Sequence, residues 1–346
     1  MERRFYIGGY AEGIGEVAAD PSGGTLRHLR TLEGVHNPTW LLTHPNGRIL
    51  YAVEEQAPEG NVVALRLDGG TPTVAARLRS GGADPCHLTL DETGRYLAVS
   101  NYTSGSLTVF ALDGNGIPTV MTENVQRPRP QRPGNLRRQS DSHVHYAQWH
   151  HGILYVCDLG RDLVLRYRLN PQTGRLTDLG NPIELPAGSG PRHLCFPPVD
   201  NGCCYVLTEM TCAVYCCRRQ GAGWTVTEEA VLLPPDWPGD PSGHEGYGAA
   251  IRCAADGRHL LVSCRVLNVL HAFFIGDDGG LRHCGQAFSG GETPRDFAIL
   301  EDRWVLAANQ DSGTLRVLRW DDANGSMTPT DGTLPFSGAA CIAPAF

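Results

Sequence analysis

Two sets of polar residues stand at matching points along the 346-residue chain. His87, His143 or His145, Arg192, His193, Arg295 and Asp296 open one kind of short apolar run. Glu55, Tyr102, Glu209, Arg265 and Gln310 close another. Three arginines brought to one concavity, Arg192, Arg265 and Arg295, would suit an anionic ligand, because a guanidinium grips phosphate or carboxylate through two parallel hydrogen bonds and stays charged. A histidine or Glu209 beside them could take or give a proton. Singly, each residue reads equally well as a strand-end salt bridge or a turn anchor. Convergence is what would make them a site, and convergence depends on the elements that carry them.

Those elements repeat. Runs such as "RRFYIGGY", "NGRILYAVEE", "TGRYLAVSNY", "HGILYVCDL", "NGCCYVLTE", "DGRHLLVSCR" and "EDRWVLAANQ" recur seven times at intervals of 45 to 57 residues. About a dozen residues before most of them comes a second run: "NPTWLLTH", "DPCHLTLD", "HVHYAQWH", "GPRHLCFP", "GAAIRCAA" or "TPRDFAIL". The first copy lacks this partner, and "SGAACIAP" near the C-terminus supplies one. Third and fourth β-rich runs follow, joined by Asn-, Asp-, Gly- and Pro-bearing turns of hairpin type. Repeated units of four short strands predict an all-β, seven-bladed propeller forming one domain over 1–346, with the C-terminal strand as the innermost strand of the first blade. In that geometry the first strand runs down from one face and the second returns to it. The two polar sets then ring one mouth.

One stretch stays outside the repeat. Residues 121–142, "MTENVQRPRPQRPGNLRRQSDS", carry Arg127, Arg129, Arg132, Arg137 and Arg138 among prolines and lie between the third and fourth blades. A segment of this length reads either as a solvated loop or as a functional one that delivers the chain to "HVHYAQW".

Composition narrows the function classes. Hydrophobic residues make up 41% and charged residues 19%, enough for a sizeable core. A net charge of −8 sets the chain against nucleic acid, whose phosphates need a basic footprint. No apolar run spans a bilayer, and no secretory h-region is present. The twelve cysteines have no C-x-x-C or zinc-ligand spacing and read as reduced, buried thiols of a cytoplasmic protein. No cluster calls for a metal or cofactor, and no pattern specifies an oligomeric state.

"NPTWLLTHPNGRILYAVEE", "DPCHLTLDETGRYLAVSNYTSGSLTVF", "GPRHLCF", "DGRHLLVSCR" and "TPRDFAI" resemble the seven-bladed propeller lactonases, the family of bacterial propeller-type 6-phosphogluconolactonases and fungal carboxy-muconate cyclases. The resemblance runs from "YIGGY" to the last strand. It implies an active-site set of His145, Arg192, Glu209 and Arg265, and the blade geometry adds His87, His143, His193, Arg295, Glu55 and Gln310 as further substrate contacts. The chain departs from the family's pattern at Ala250, where Glu is usual, and at Thr208 and Cys264, where Asn is usual. The activity implied is hydrolysis of a phosphorylated sugar lactone, a small anion. The alternatives are a cyclase or lactonase acting on a muconate-type acid, or a non-catalytic scaffold that grips an anionic partner. His145 is the expected general base, with His143 or Glu209 as the alternatives. Glu209 is expected as the orienting anion, and the arginines as clamp and oxyanion stabiliser.

Overall fold

The computed structural model describes residues 2–20, 24–68, 70–131, 133–238, 247–301 and 303–345. Arg132 lies outside them. The described residues form seven antiparallel sheets arranged as a ring. Blade 1 orders its strands Ala339–Pro344, Arg3–Gly9, Glu12–Asp20 and Thr25–His36 from the axis outward. The C-terminal strand closes it, with Phe5 opposite Pro344, Ile7 opposite Ile342 and Gly9 opposite Ala339.

Each remaining blade follows the chain outward from the axis. The first and second strands are Leu41–Thr43 and Ile49–Glu54 in blade 2, Pro85–Leu90 and Tyr96–Asn101 in blade 3, and Val144–His150 and Ile153–Asp158 in blade 4. They are Pro191–Cys195 and Cys203–Thr208 in blade 5, Gly248–Cys253 and His259–Cys264 in blade 6, and Pro294–Leu300 and Trp304–Asn309 in blade 7. In blade 4 the outer edge is split, Leu176–Asp178 and Ile183–Glu184 both pairing with Leu163–Leu169.

Burial explains why the unit must repeat. The described apolar residues fall into seven clusters, each drawn from two neighbouring blades. Strand side chains alternate between faces, so Cys203, Tyr205 and Leu207 pack toward blade 6, while Cys204 and Val206 pack toward blade 4. Each fully buried Leu or Val side chain contributes about 1.5–3 kcal/mol, and a blade without neighbours would leave both faces wet. The same logic covers the turns. Gly105 of "TSGSL" and Gly313 of "DSGTL" hold φ of +59° and +60°, so the repeated glycine serves one left-handed turn in two blades.

The irregular stretch is shorter than the sequence implies. The outermost strand of blade 3, Pro118–Gln126, absorbs residues 121–126, because their pairing with Ser106–Leu112 completes the sheet. The irregular path begins at Arg127.

Candidate functional site

A register slip builds the site. In blades 1, 3, 4, 5 and 7 the ladder between the two inner strands shifts by one residue near the mouth. Ala340, Cys86, His145, Arg192 and Arg295 are the residues skipped. An extra residue of this kind bends the strand and re-aims its side chain. In three blades the slip follows a proline, Pro85, Pro191 or Pro294, which starts the strand where no N–H is needed. All five skipped residues line one pocket, together with Thr39, Trp40, Glu55 and His193.

Beside this pocket, though not among its lining residues, Glu209 is bracketed by cations. Arg192 Nε donates to Glu209 Oε2 at 2.9 Å, Arg265 Nη2 approaches the same oxygen at 3.1 Å, and Arg138 Nη2 donates to Oε1 at 2.7 Å. His145 Nε2 lies 4.0 Å from Oε2. Burial alone would raise the Glu209 carboxyl; Arg265, Arg192 and Arg138 outweigh it and hold the group well below the usual carboxylate range. Arg192 is 2% exposed, and burial, with Arg265 and Arg295 nearby, brings it down to about 10, so it remains a cation at neutral pH. Its Nη1 donates to His193 Nε2 at 2.9 Å and to the Ala249 carbonyl. Burial and the Arg192 charge push His145 well below its ordinary value and leave it neutral, with Nδ1 buried and unpartnered.

Arg138 is the contact that the sequence did not reveal. It comes from the irregular segment and also reaches Tyr102 Oη at 3.2 Å. Its neighbour Gln139 anchors it, donating to Asp162 Oδ1 at 2.7 Å. The same carboxylate accepts from the N–H groups of Gly188 and Gly190, both at 2.8 Å. Asp162 thus ties the loop bearing Arg138 to the loop before Arg192. No spacing or motif marks it, since its partners come from two separate segments, at 139 and at 188–190.

The other expected residues divide into three places. Across the pocket Arg295 Nη2 donates to Tyr10 Oη at 2.8 Å, and Tyr10 Oη to Glu55 Oε1 at 2.9 Å. Thr39 also bonds Glu55, and Gln310 accepts from Arg295 at 3.2 Å. His143 is beside Tyr102, its ring stacked at 4.5 Å and its Nδ1 3.1 Å from the Tyr102 carbonyl. His87 is not among the residues lining the pocket. It belongs to an aromatic plug one layer down, its ring 4.3 Å from Trp40 and 4.0 Å from Tyr146, and it faces the cavity on the far side. The slip is the reason: Cys86, not His87, takes the bulged position of blade 3. Among the described residues one group could hold a metal ion, His150, His151 and Asp200, and it begins at the opposite end of the strand that starts beside His145. No described helix is long and apolar enough to cross a membrane.

Comparison with known proteins agrees with this architecture. The family described as "Lactonase, 7-bladed beta-propeller" matches residues 4–344. The 6-phosphogluconolactonase of Bacillus subtilis is 28% identical, over 97% of this chain and 95% of its own. An uncharacterised protein of Lactococcus lactis is also 28% identical, over 99% and 100%. The solved structure of the periplasmic gluconolactonase of Pseudomonas aeruginosa superimposes with a TM-score of 0.91 at 26% identity, covering 100% of this chain and 99% of that one.

Proposed function

The chain belongs to the seven-bladed β-propeller lactonases, and from that premise we propose that it hydrolyses 6-phosphogluconolactone to 6-phosphogluconate, a step of the oxidative pentose phosphate pathway, in the cytoplasm. The observation that carries this reading is the bracket around Glu209: Arg138, Arg192 and Arg265 against one carboxylate leave an excess of positive charge at the pocket. Such an excess suits an anionic substrate. Twelve unbonded thiols fit a reducing compartment.

The chemistry follows from the same residues. Neutral His145 accepts a proton from water as the oxygen attacks the lactone carbonyl. A guanidinium, Arg192 or Arg265, stabilises the oxyanion. Both Glu209 oxygens are already held by arginines, so it acts as the orienting anion that favours the imidazolium. His145 then returns the proton to the ring oxygen as the acyl C–O bond breaks, and the product leaves as a carboxylate. Across the pocket Glu55, Tyr10, Thr39 and Gln310 offer acceptors that suit sugar hydroxyls. A muconate-type acid would set a carboxylate against Glu55.

Purified protein given phosphorylated and unphosphorylated δ-lactones tests the reading. Faster turnover per KM for the phosphorylated lactone supports it. Preference for a muconolactone would move the substrate to the aromatic-acid class, and no turnover of any lactone would leave a binding scaffold.

A further inference from the structure

Two pairs of thiols face each other across the seam between blades 5 and 6. The sulfurs of Cys212 and Cys264 are 3.2 Å apart, and those of Cys195 and Cys253 are 3.3 Å apart. Cys212 ends the short turn that Glu209 begins, and Cys264 immediately precedes Arg265. The Cys212–Cys264 contact therefore links the same two turns as the Glu209–Arg265 ion pair.

The two pairs differ in their surroundings. Cys212 donates its S–H to Cys264, and the imidazole of His271, on the adjacent strand, is near the Cys264 sulfur. With the Leu267 N–H, and against burial, these contacts bring Cys264 down to about 5, while burial pushes Cys212 well up. The pair is thus biased toward a proton on Cys212 and a thiolate on Cys264. Burial pushes Cys195 well up instead. His271 lines an open groove of about 860 Å³, and its Nδ1 lies 3.3 Å from Nε2 of exposed His283. The groove reaches His271, while Cys264 and Cys212 are themselves buried. A stabilised thiolate next to a second thiol is the arrangement that selects a cysteine for oxidation.

We propose that Cys264 and Cys212 form a peroxide-reactive dithiol, whose reversible disulfide ties the Glu209 turn to the Arg265 turn. The Cys264 thiolate attacks one oxygen of hydrogen peroxide. The O–O bond breaks, Cys264 becomes a sulfenic acid, and the departing hydroxide is protonated from solvent through His283 and His271. The Cys212 sulfur then attacks the sulfenic sulfur, the S–O bond breaks, and the hydroxyl leaves as water with the Cys212 proton. Two thiols and one peroxide give one disulfide and two waters. The second step is fast because the partners are already in contact.

The test uses the full-length protein, reduced, exposed to hydrogen peroxide, alkylated under denaturing conditions and mapped by mass spectrometry without reduction. The expected product is a Cys212–Cys264 cross-linked peptide, two hydrogens lighter than the reduced pair and reversed by dithiothreitol, with Cys195 and Cys253 still alkylated as thiols. Cys212→Ser should leave Cys264 as a sulfenic acid that dimedone traps, and His271→Asn should slow oxidation about tenfold or more. Free thiols at Cys212 and Cys264 after peroxide treatment would overturn the proposal, as would earlier linkage of Cys195 to Cys253. The wild-type map decides even where a variant does not fold. Coupling to the site rests on the lactonase reading: oxidation should lower lactone turnover about tenfold to a hundredfold, since a displacement of about 1 Å has effects of that order. Unchanged turnover in the cross-linked protein removes that coupling. Inactivity in both redox states counts against the functional reading instead, and the mapped disulfide still decides this one.

Discussion

Arg138 donates to Glu209 Oε1 across 2.7 Å, although 71 residues separate the two in sequence. The contact divides the labour among the arginines, leaving Oε2 to Arg192 and Arg265. It makes Arg138 the cation most able to turn to a substrate anion, since its side chain is 25% exposed and that of Arg192 only 3%. Arg138→Ala should raise KM for a phosphorylated lactone with little change in kcat. Loss of a charged hydrogen bond of about 1.5–3 kcal/mol corresponds to roughly ten- to a hundredfold. Steady-state kinetics on both lactone types will read this, and an unchanged KM would put Arg138 outside the substrate's reach.

His145→Ala should lower kcat by about 10²–10⁴-fold, the usual contribution of a positioned base, with a small change in KM. The neutral ring, 4.0 Å from Glu209 and buried, is the basis for that expectation. A variant with full kcat would pass the role to His143 or Glu209.

Glu209→Ala should destabilise the fold by about 3–5 kcal/mol, because it leaves buried Arg192 without its counter-ion. Arg192→Met combined with Glu209→Ala should recover part of the loss, since the most deeply buried of the three guanidinium charges is then removed. Urea unfolding of the single and double variants measures both, and equal loss in the two would show that the ion pair is not the source.

Stability should fall with acid in two stages. Burial pushes His87, His145 and His193 well below 6.5. A histidine depressed in the folded state binds more protons when unfolded, so its effect is absent above pH 6.5 and destabilises as pH drops below it. Each of the three costs about 1.4 kcal/mol per pH unit in that window. Glu209, depressed from 4.5, adds stability that is present above 4.5 and lost as pH falls through its folded value. Chemical denaturation from pH 8 to pH 4 should therefore show a decline starting near 6.5, and a flat profile down to pH 5 would mean that the histidines are not held neutral.

The repeat made the architecture legible. "SGAACIAP" could stand in for a missing inner strand because blade pairing depends on alternating side chains and turn residues, which are local and countable. His145, Arg192, Glu209 and Arg265 were legible as neighbours for the same reason, since equivalent strand ends in a ring must meet near its axis. The placement of His87 was not. Its blade slips by one residue at Cys86, and a bulge reverses which of two adjacent side chains looks into the pocket.

Seven blades, their closure by the C-terminal strand, and the mouth where the polar strand ends gather all follow from patterns written along the chain. It took the folded ring to show that Arg138 joins Glu209, that Asp162 holds its loop in place, and that Cys212 meets Cys264 across a seam. Hydrophobic period and turn chemistry are written within a few residues, so they can be read along the chain. Ion pairs and thiol contacts across blades depend on side chains from distant segments arriving at one point, and only the closed ring sets those distances.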